Sequence, residues 1–142
     1  MRAGEVFFDT SVLLYLLSVD DEKADRVEAL LARRGVLSVQ VLNEFAAVAL
    51  RKHALSPAEI REFLGGLREF CRTYPLTLEA HEHGLDLVER YGFQLYDAMI
   101  VASALESGCR VLYTEDLQHG QVIEKRLKVI NPFAKERGAA GC

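Results

Sequence analysis

The sequence predicts an α/β fold, a three-layer α/β/α sandwich around a parallel sheet, and three observations carry that expectation. Short β-prone runs alternate with amphipathic helical stretches along the whole chain. The connections between them are short, which is the pattern of a sheet covered on both faces. The first run, Val6-Phe7-Phe8, is apolar without alternation and stops abruptly at one carboxylate, Asp9, as a buried strand does. Finally, 142 residues, half of them hydrophobic and 27% charged, suit one domain with a single core.

Taken in order, Thr10-Ser11 leads into Val12-Leu13-Leu14-Tyr15-Leu16-Leu17, a helical run that is apolar on every side. Such a helix needs cover from the sheet and from another helix or a second subunit. Asp20-Asp21-Glu22 puts negative charge where a helix dipole favours it, at the start of a helix over 22–34. Its inward residues are Ala24, Val27, Ala29, Leu30 and Leu31, and Arg33-Arg34-Gly35 reads as a glycine stop. Val36-Leu37-Ser38 is a second strand whose Ser38 caps a helix over 40–53. Val41, Leu42, Phe45, Val48 and Ala49 line that helix, and Glu44 borders the same side.

Ser56-Pro57-Ala58-Glu59 is a capping box with proline at the first helical position. The helix it opens buries Ile60, Phe63, Leu64, Leu67 and Phe70 and shows Arg61, Arg68 and Arg72 on its other side. Pro75 breaks the pattern, and Leu76-Thr77-Leu78 reads as a third strand. Glu79 to Tyr91 is helical and closed by Gly92. A helix over 97–107 carries no charge between Asp97 and Glu106, so it is predicted to be buried, and Gly108 stops it. Val111-Leu112-Tyr113-Thr114 is a fourth strand followed by Glu115-Asp116, and Lys128-Val129-Ile130 is a fifth, at an edge, ended by Pro132. Residues 1–133 form the domain, and the tail 134–142 lacks apolar anchors and is expected to be disordered.

Composition narrows the function classes. The N-terminus has no signal-peptide layout, and no apolar run approaches the ~18 residues of a membrane span. Cys71, Cys109 and Cys142 are odd in number and share no ligand-like spacing, as expected for reduced thiols in a cytoplasmic protein. The net charge of −4, from 17 basic and 21 acidic residues, alone argues against a phosphate-neutralising nucleic-acid binder. Four acids committed to two divalent cations would bring that charge to −4 + 4 = 0 and remove the objection.

The acids in question are Asp9, Glu44, Asp97 and Asp116. Each has a plain alternative: Asp97 as a helix N-cap, Asp9 as a strand-end turn residue, Glu44 as a helix-surface glutamate, and Asp116 as a turn acid that Glu115 can replace. The joint pattern favours function. In an open parallel sheet Asp9 and Asp116 leave at one edge, where the helices carrying Glu44 and Asp97 begin. Converging acids repel by roughly 4 kcal/mol per pair at ~4 Å in an effective dielectric near 20. Such a cluster is tolerable when cations occupy it, and hard oxygen ligands partly supplemented by water suit Mg²⁺ or Mn²⁺.

Phe8-Asp9-Thr10-Ser11, Asn43-Glu44-Phe45, Tyr96-Asp97-Ala98-Met99-Ile100 and Thr114-Glu115-Asp116-Leu117-Gln118-His119-Gly120 resemble, in order, the four motifs of the PIN-domain nucleases. The likeness is greatest to the VapC-type toxins of bacterial toxin–antitoxin pairs, and it runs from Val6 to Phe133. The resemblance implies a parallel sheet in the order 3-2-1-4-5 and a Mg²⁺-dependent endoribonuclease that leaves a 5′-phosphate and a 3′-hydroxyl. It maps the metal-binding, catalytic acids onto Asp9, Glu44, Asp97 and Asp116, with Asp116 favoured over Glu115 by motif position. It maps the small hydroxyl residues that position substrate or water onto Thr10, Ser11 and Thr114. The implied partners are RNA and an antitoxin protein. A homodimer is expected from the all-round apolar first helix.

Two other readings are weaker. A haloacid-dehalogenase-type phosphohydrolase needs a second acid two residues after the first, where Ser11 stands. A receiver-like interaction module wants paired acids after strand one and a lysine at the end of strand five, and neither is present. His81-x-His83 has the wrong spacing for a zinc site on one helix face.

Overall fold

In the computed structural model, which describes residues 5–135, the centre of the sheet is β1 (Val6–Phe8). The other strands are β2 (Gly35–Ser38), β3 (Cys71–Tyr74), β4 (Val111–Tyr113), β5 (Val122–Ile123) and β6 (Leu127–Ile130), in the spatial order β3-β2-β1-β4-β6-β5. Every pair is parallel except β5 with β6. The expected order 3-2-1-4-5 therefore holds, with the fifth expected strand as β6 and an antiparallel strand added beyond it. The helices are α1 (Thr10–Leu13), α2 (Asp21–Leu31), α3 (Val39–Lys52), α4 (Pro57–Phe70), α5 (Leu78–Tyr91) and α6 (Leu95–Glu106). From residue 136 onward the expected disordered tail lies outside the described residues.

Register makes the strand ends converge. Phe7 pairs with Val36 on one side and Leu112 on the other, and Phe8 pairs with Tyr113. These residues, with Leu37 and Val129, form the sheet's share of the core: Phe7, Phe8, Val36, Leu37, Leu112 and Val129 are all fully buried. α6 is buried from Ala98 through Leu105, as its uncharged sequence predicts. It packs on α5 where Gly84 leaves room for Met99, whose sulfur would lie 2.7 Å from an added Cβ. The Ser56–Glu59 capping box forms in full, and Gly92 closes α5 in the left-handed conformation at φ 75°.

The third strand lies earlier than Leu76-Thr77-Leu78. α4 passes into β3 at Cys71 without a loop, and β3 runs beside β2 at the sheet edge. An edge strand tolerates the charge of Arg72, which in the sequence reads as the polar face of the preceding helix. Thr77 instead caps α5, accepting the Ala80 N–H at 2.9 Å, while Leu76 and Leu78 are exposed. The glycine stop after α2 is also corrected. Arg34 takes the left-handed turn at φ 66°, and Gly35 is the first residue of β2. A Cβ at Gly35 would stand 2.7 Å from Phe8 Cε2 and 2.8 Å from the Val6 carbonyl oxygen. Gly35→Ala is accordingly expected to destabilise the protein by about 2 kcal/mol, read from urea unfolding, because backbone cannot move aside as a side-chain tip can.

The added hairpin escapes the sequence because its turn residues are Glu124 and Lys125, both with positive φ (52° and 59°) and neither glycine nor asparagine. Tertiary contacts hold the turn. His83 bridges Glu106 (Nδ1 to Oε2, 2.7 Å) and Glu124 (Nε2 to Oε2, 3.0 Å), and the Tyr91 hydroxyl accepts the Glu124 N–H at 2.9 Å. Burial pulls the His83 pKa down, but the two carboxylates outweigh it and the net shift is upward.

The apolar run after Asp9 also divides. α1 gives way to a 3-10 turn over Leu14–Leu17, where Val12 and Leu13 are fully buried and Leu14 to Leu17 half-buried. Part of its cover is Phe133, which meets the Tyr15 ring edge-on at 4.8 Å.

Candidate active site

Because β1 and β4 are parallel, the chain leaves both at the same rim. Asp9 follows β1 directly and is only 5% exposed. Its Oδ1 accepts the Thr10 N–H at 2.7 Å, so Asp9 is the N-cap of α1. Its Oδ2 accepts the hydroxyls of Ser11 (2.9 Å) and Thr114 (2.7 Å). The carboxyl is raised to about 6: burial pushes it up most, the Thr114, Ser11 and Thr10 hydrogen bonds oppose that, and the charge of Asp116 adds to the rise.

Thr114 ties a second acid to the first. Its hydroxyl donates to Asp9 and accepts the Asp116 N–H at 3.0 Å, while Ser11 Oγ accepts the Glu115 N–H at 3.1 Å. The two neighbouring acids of this loop part company there. Glu115 accepts the Tyr15 hydroxyl at 2.8 Å and faces the Lys23 ammonium at 3.9 Å. Asp116 makes no ion pair among the described residues; burial raises its pKa, followed by the charges of Glu115 and Glu44.

Glu44 joins through Thr10, whose hydroxyl donates to Oε1 at 2.7 Å. Its other oxygen accepts Gln40 Nε2 at 3.1 Å. Asp97 lies in the first turn of α6 but does not cap it, since the helix begins at Leu95 with Gln94 as the N-cap residue. Burial raises the Asp97 pKa most, followed by the charges of Asp116 and Glu44. Asp9, Glu44, Asp97 and Asp116 thus lie at one rim: the hydroxyls of Thr10, Ser11 and Thr114 tie Asp9, Glu44 and the loop of Asp116 together, and Asp97 joins through its charge coupling to Asp116 and Glu44. Gln40, Tyr15 and Lys23 are participants that the sequence reading missed. Gln40 carried one local signal, its spacing of four residues from Glu44 on a helix.

Among the described residues, no ion pair includes any of the four acids, and no three acidic, histidine or cysteine side chains form a ready-made metal cage. Burial and repulsion without a counter-charge, on hard carboxylate oxygens alone, fit a cation such as Mg²⁺, which takes one or two carboxylates and keeps several waters. An open cavity of about 600 Å³, lined by Ser11, Leu14, Tyr15, Leu17, Val19 and His53 among others, adjoins the rim through Ser11.

Fold and rim together define a class, α/β proteins with a carboxylate crevice at the carboxyl edge of a parallel sheet. The PIN domain family model matches residues 6–125, and the chain belongs to the PIN-domain family. Its fold is similar to that of a toxin–antitoxin complex from Klebsiella pneumoniae, at 22% identity and a TM-score of 0.69, over 91% of this chain and 98% of that one. It is also similar to VapC20 of Mycobacterium tuberculosis, a sarcin–ricin-loop-cleaving toxin (20% identity, TM-score 0.64, 86% and 99% coverage). DNA-bound VapBC from Salmonella typhimurium is a third likeness (20%, 0.66, 89% and 96%). A comparison with curated proteins finds no sequence match.

Proposed function

We propose that this chain is a Mg²⁺-dependent endoribonuclease and the toxin of a type II toxin–antitoxin pair. The observation that carries the reading is the convergence at one rim of four carboxylates from distant parts of the chain, none with a cationic partner among the described residues. A bound divalent cation, with Mn²⁺ as the alternative, supplies charge stabilisation at the phosphodiester and a more acidic water. Asp9 and Asp97 are its principal holders. Ser11 and Thr114 lock Asp9 by donating to one oxygen, and the Thr10 N–H locks the other, so the carboxylate enters the reaction already oriented. Glu44 and Asp116 complete the acidic shell and accept the proton of the attacking water. Water adds to phosphorus as the bond to the 3′ oxygen breaks, leaving a 5′-phosphate and a 3′-hydroxyl.

The toxin role draws on the solved relatives, two of which are toxin–antitoxin assemblies and one a toxin that cleaves the sarcin–ricin loop. An antitoxin partner, a homodimer closing over the half-buried Leu14–Leu17 turn, and a cytoplasmic location belong to the same reading. No helix among the described residues is long and apolar enough to cross a membrane.

The test is incubation of the purified protein with total RNA in Mg²⁺, in chelator, and in chelator followed by excess Mg²⁺, with the new ends sequenced. Cleavage that disappears and returns with the cation, leaving ligatable 5′-phosphates, is expected; intact RNA in both Mg²⁺ and Mn²⁺ overturns the reading. Within the loop after β4, Glu115→Gln is expected to stay within about twofold of wild-type cleavage, whereas Asp116→Asn loses about a hundredfold. Initial rates on one RNA separate the two, since Glu115 is engaged by Tyr15 and Lys23.

A further inference from the structure

We infer that Gln40 is a positioning residue that orients Glu44 for cation binding and couples it to the helix carrying Asp97, an inference that rests on the proposed metal site. Gln40 is 9% exposed and sits in the first turn of α3, one helical turn before Glu44. Its Nε2 donates both to Glu44 Oε2 (3.1 Å) and to the Tyr96 carbonyl oxygen (3.3 Å). The assignment of the amide is chemically forced. Both partners are acceptors only, so the NH₂ group, with its two protons, must face them and the carbonyl cannot.

Two consequences follow from that one group. With Thr10 Oγ1 on Oε1 and Gln40 Nε2 on Oε2, each carboxylate oxygen of Glu44 has a donor, which fixes its plane against repulsion from Asp97 and Asp116. The second proton pins the carbonyl of the residue preceding Asp97, so the spacing between α3 and the first turn of α6 is set at the rim itself. The donor is also neutral. A lysine or arginine there would orient Glu44 equally well but would cancel the negative charge that attracts a cation. An amide orients the carboxylate and leaves its charge available, as outer-shell partners of metal-ligating carboxylates do.

The test reads Mn²⁺ binding by the electron paramagnetic resonance signal of the free ion, in wild type, Gln40→Met, Glu44→Ala and the double variant. Gln40→Met has nearly the same volume and no donor, and is expected to weaken Mn²⁺ binding about tenfold. In the Glu44→Ala background the same change is expected to cost clearly less, because the part of its effect that runs through Glu44 is gone and only the Tyr96 carbonyl contact is left to lose. A purely packing role would instead lower both affinities alike. Thermal melts check that each variant is folded. Should Gln40→Met melt early, Gln40→Asn, which withdraws the amide by one methylene, is expected to show the same loss. Equal Mn²⁺ affinity in wild type and Gln40→Met, or additive losses in the double variant, overturns the inference alone. Absence of Mn²⁺ binding in the wild type overturns the metal reading of the site and this inference with it.

Discussion

Asp97→Asn is expected to lower RNA cleavage about a thousandfold while raising the melting temperature of the metal-free protein. The two effects come from the same charge. Asp97 faces Asp116 and Glu44, and burial together with these two carboxylates raises its pKa, so in the absence of a cation its negative charge opposes the folded state. Asparagine has the same shape and no charge, which removes that repulsion. No capping hydrogen bond is lost, because Gln94 and not Asp97 stands at the N-cap. The favourable interaction of an acid with the first turn, about 0.3–1 kcal/mol at an exposed terminus, is the only counterweight, and repulsion from two carboxylates exceeds it. In the loaded enzyme the balance inverts. A neutral amide holds a cation poorly, and losing about 4 kcal/mol of transition-state stabilisation, at about 1.4 kcal/mol per tenfold, gives the predicted rate. Single-turnover cleavage in Mg²⁺ and thermal melts in chelator measure the pair. Full cleavage with a lowered melting temperature would make Asp97 a structural residue of α6.

The legibility of this molecule follows the range of the forces involved. Signals confined to one turn or one strand were readable: the Ser56–Glu59 capping box, the glycine closing α5, the uncharged run of α6. Reading failed where neighbours decide. Cys71-Arg72-Thr73-Tyr74 becomes an edge strand because β2 lies beside it, and the Glu124-Lys125 turn is held by His83 and Tyr91 from across the structure. The acids of the rim were visible as residue types at strand ends and helix starts. The distinction between Glu115 and Asp116 followed from motif position alone, without its physical basis. It depends on Tyr15 and Lys23, about a hundred residues away in sequence and placed by the 3-10 turn and by α2. For Asp97 the N-cap was the plain alternative to a place in the crevice, and the helix starts two residues earlier, at Leu95, so the carboxylate has no capping duty.

The metal-free protein is expected to grow more stable as pH falls from about 7.5 to about 5, and a bound divalent cation is expected to reverse that slope. Asp9 dominates the effect. Its carboxyl ordinarily titrates at 3.8 and is raised to about 6 in the folded protein, chiefly by burial. A carboxyl whose folded pKa lies above its unfolded one favours folding when protonated. Its contribution is complete below about pH 4 and is lost as pH rises through about 6, and the two-unit gap corresponds to about 3 kcal/mol. Asp97 and Asp116, also raised, act in the same direction. A cation at the rim stabilises the ionised carboxylates, so stability then increases with pH. Asp9→Asn isolates the term from the remaining acids of the chain: the Ser11 and Thr114 hydroxyls can turn to meet an amide, and nothing is left to titrate at that position. Urea midpoints in chelator are therefore expected to converge for wild type and Asp9→Asn near pH 4 and to separate toward pH 7.5, with the variant the more stable. A difference that stays constant across that range would mean that Asp9 is already charged and balanced in the empty site. The cation would then have no buried carboxylate to relieve.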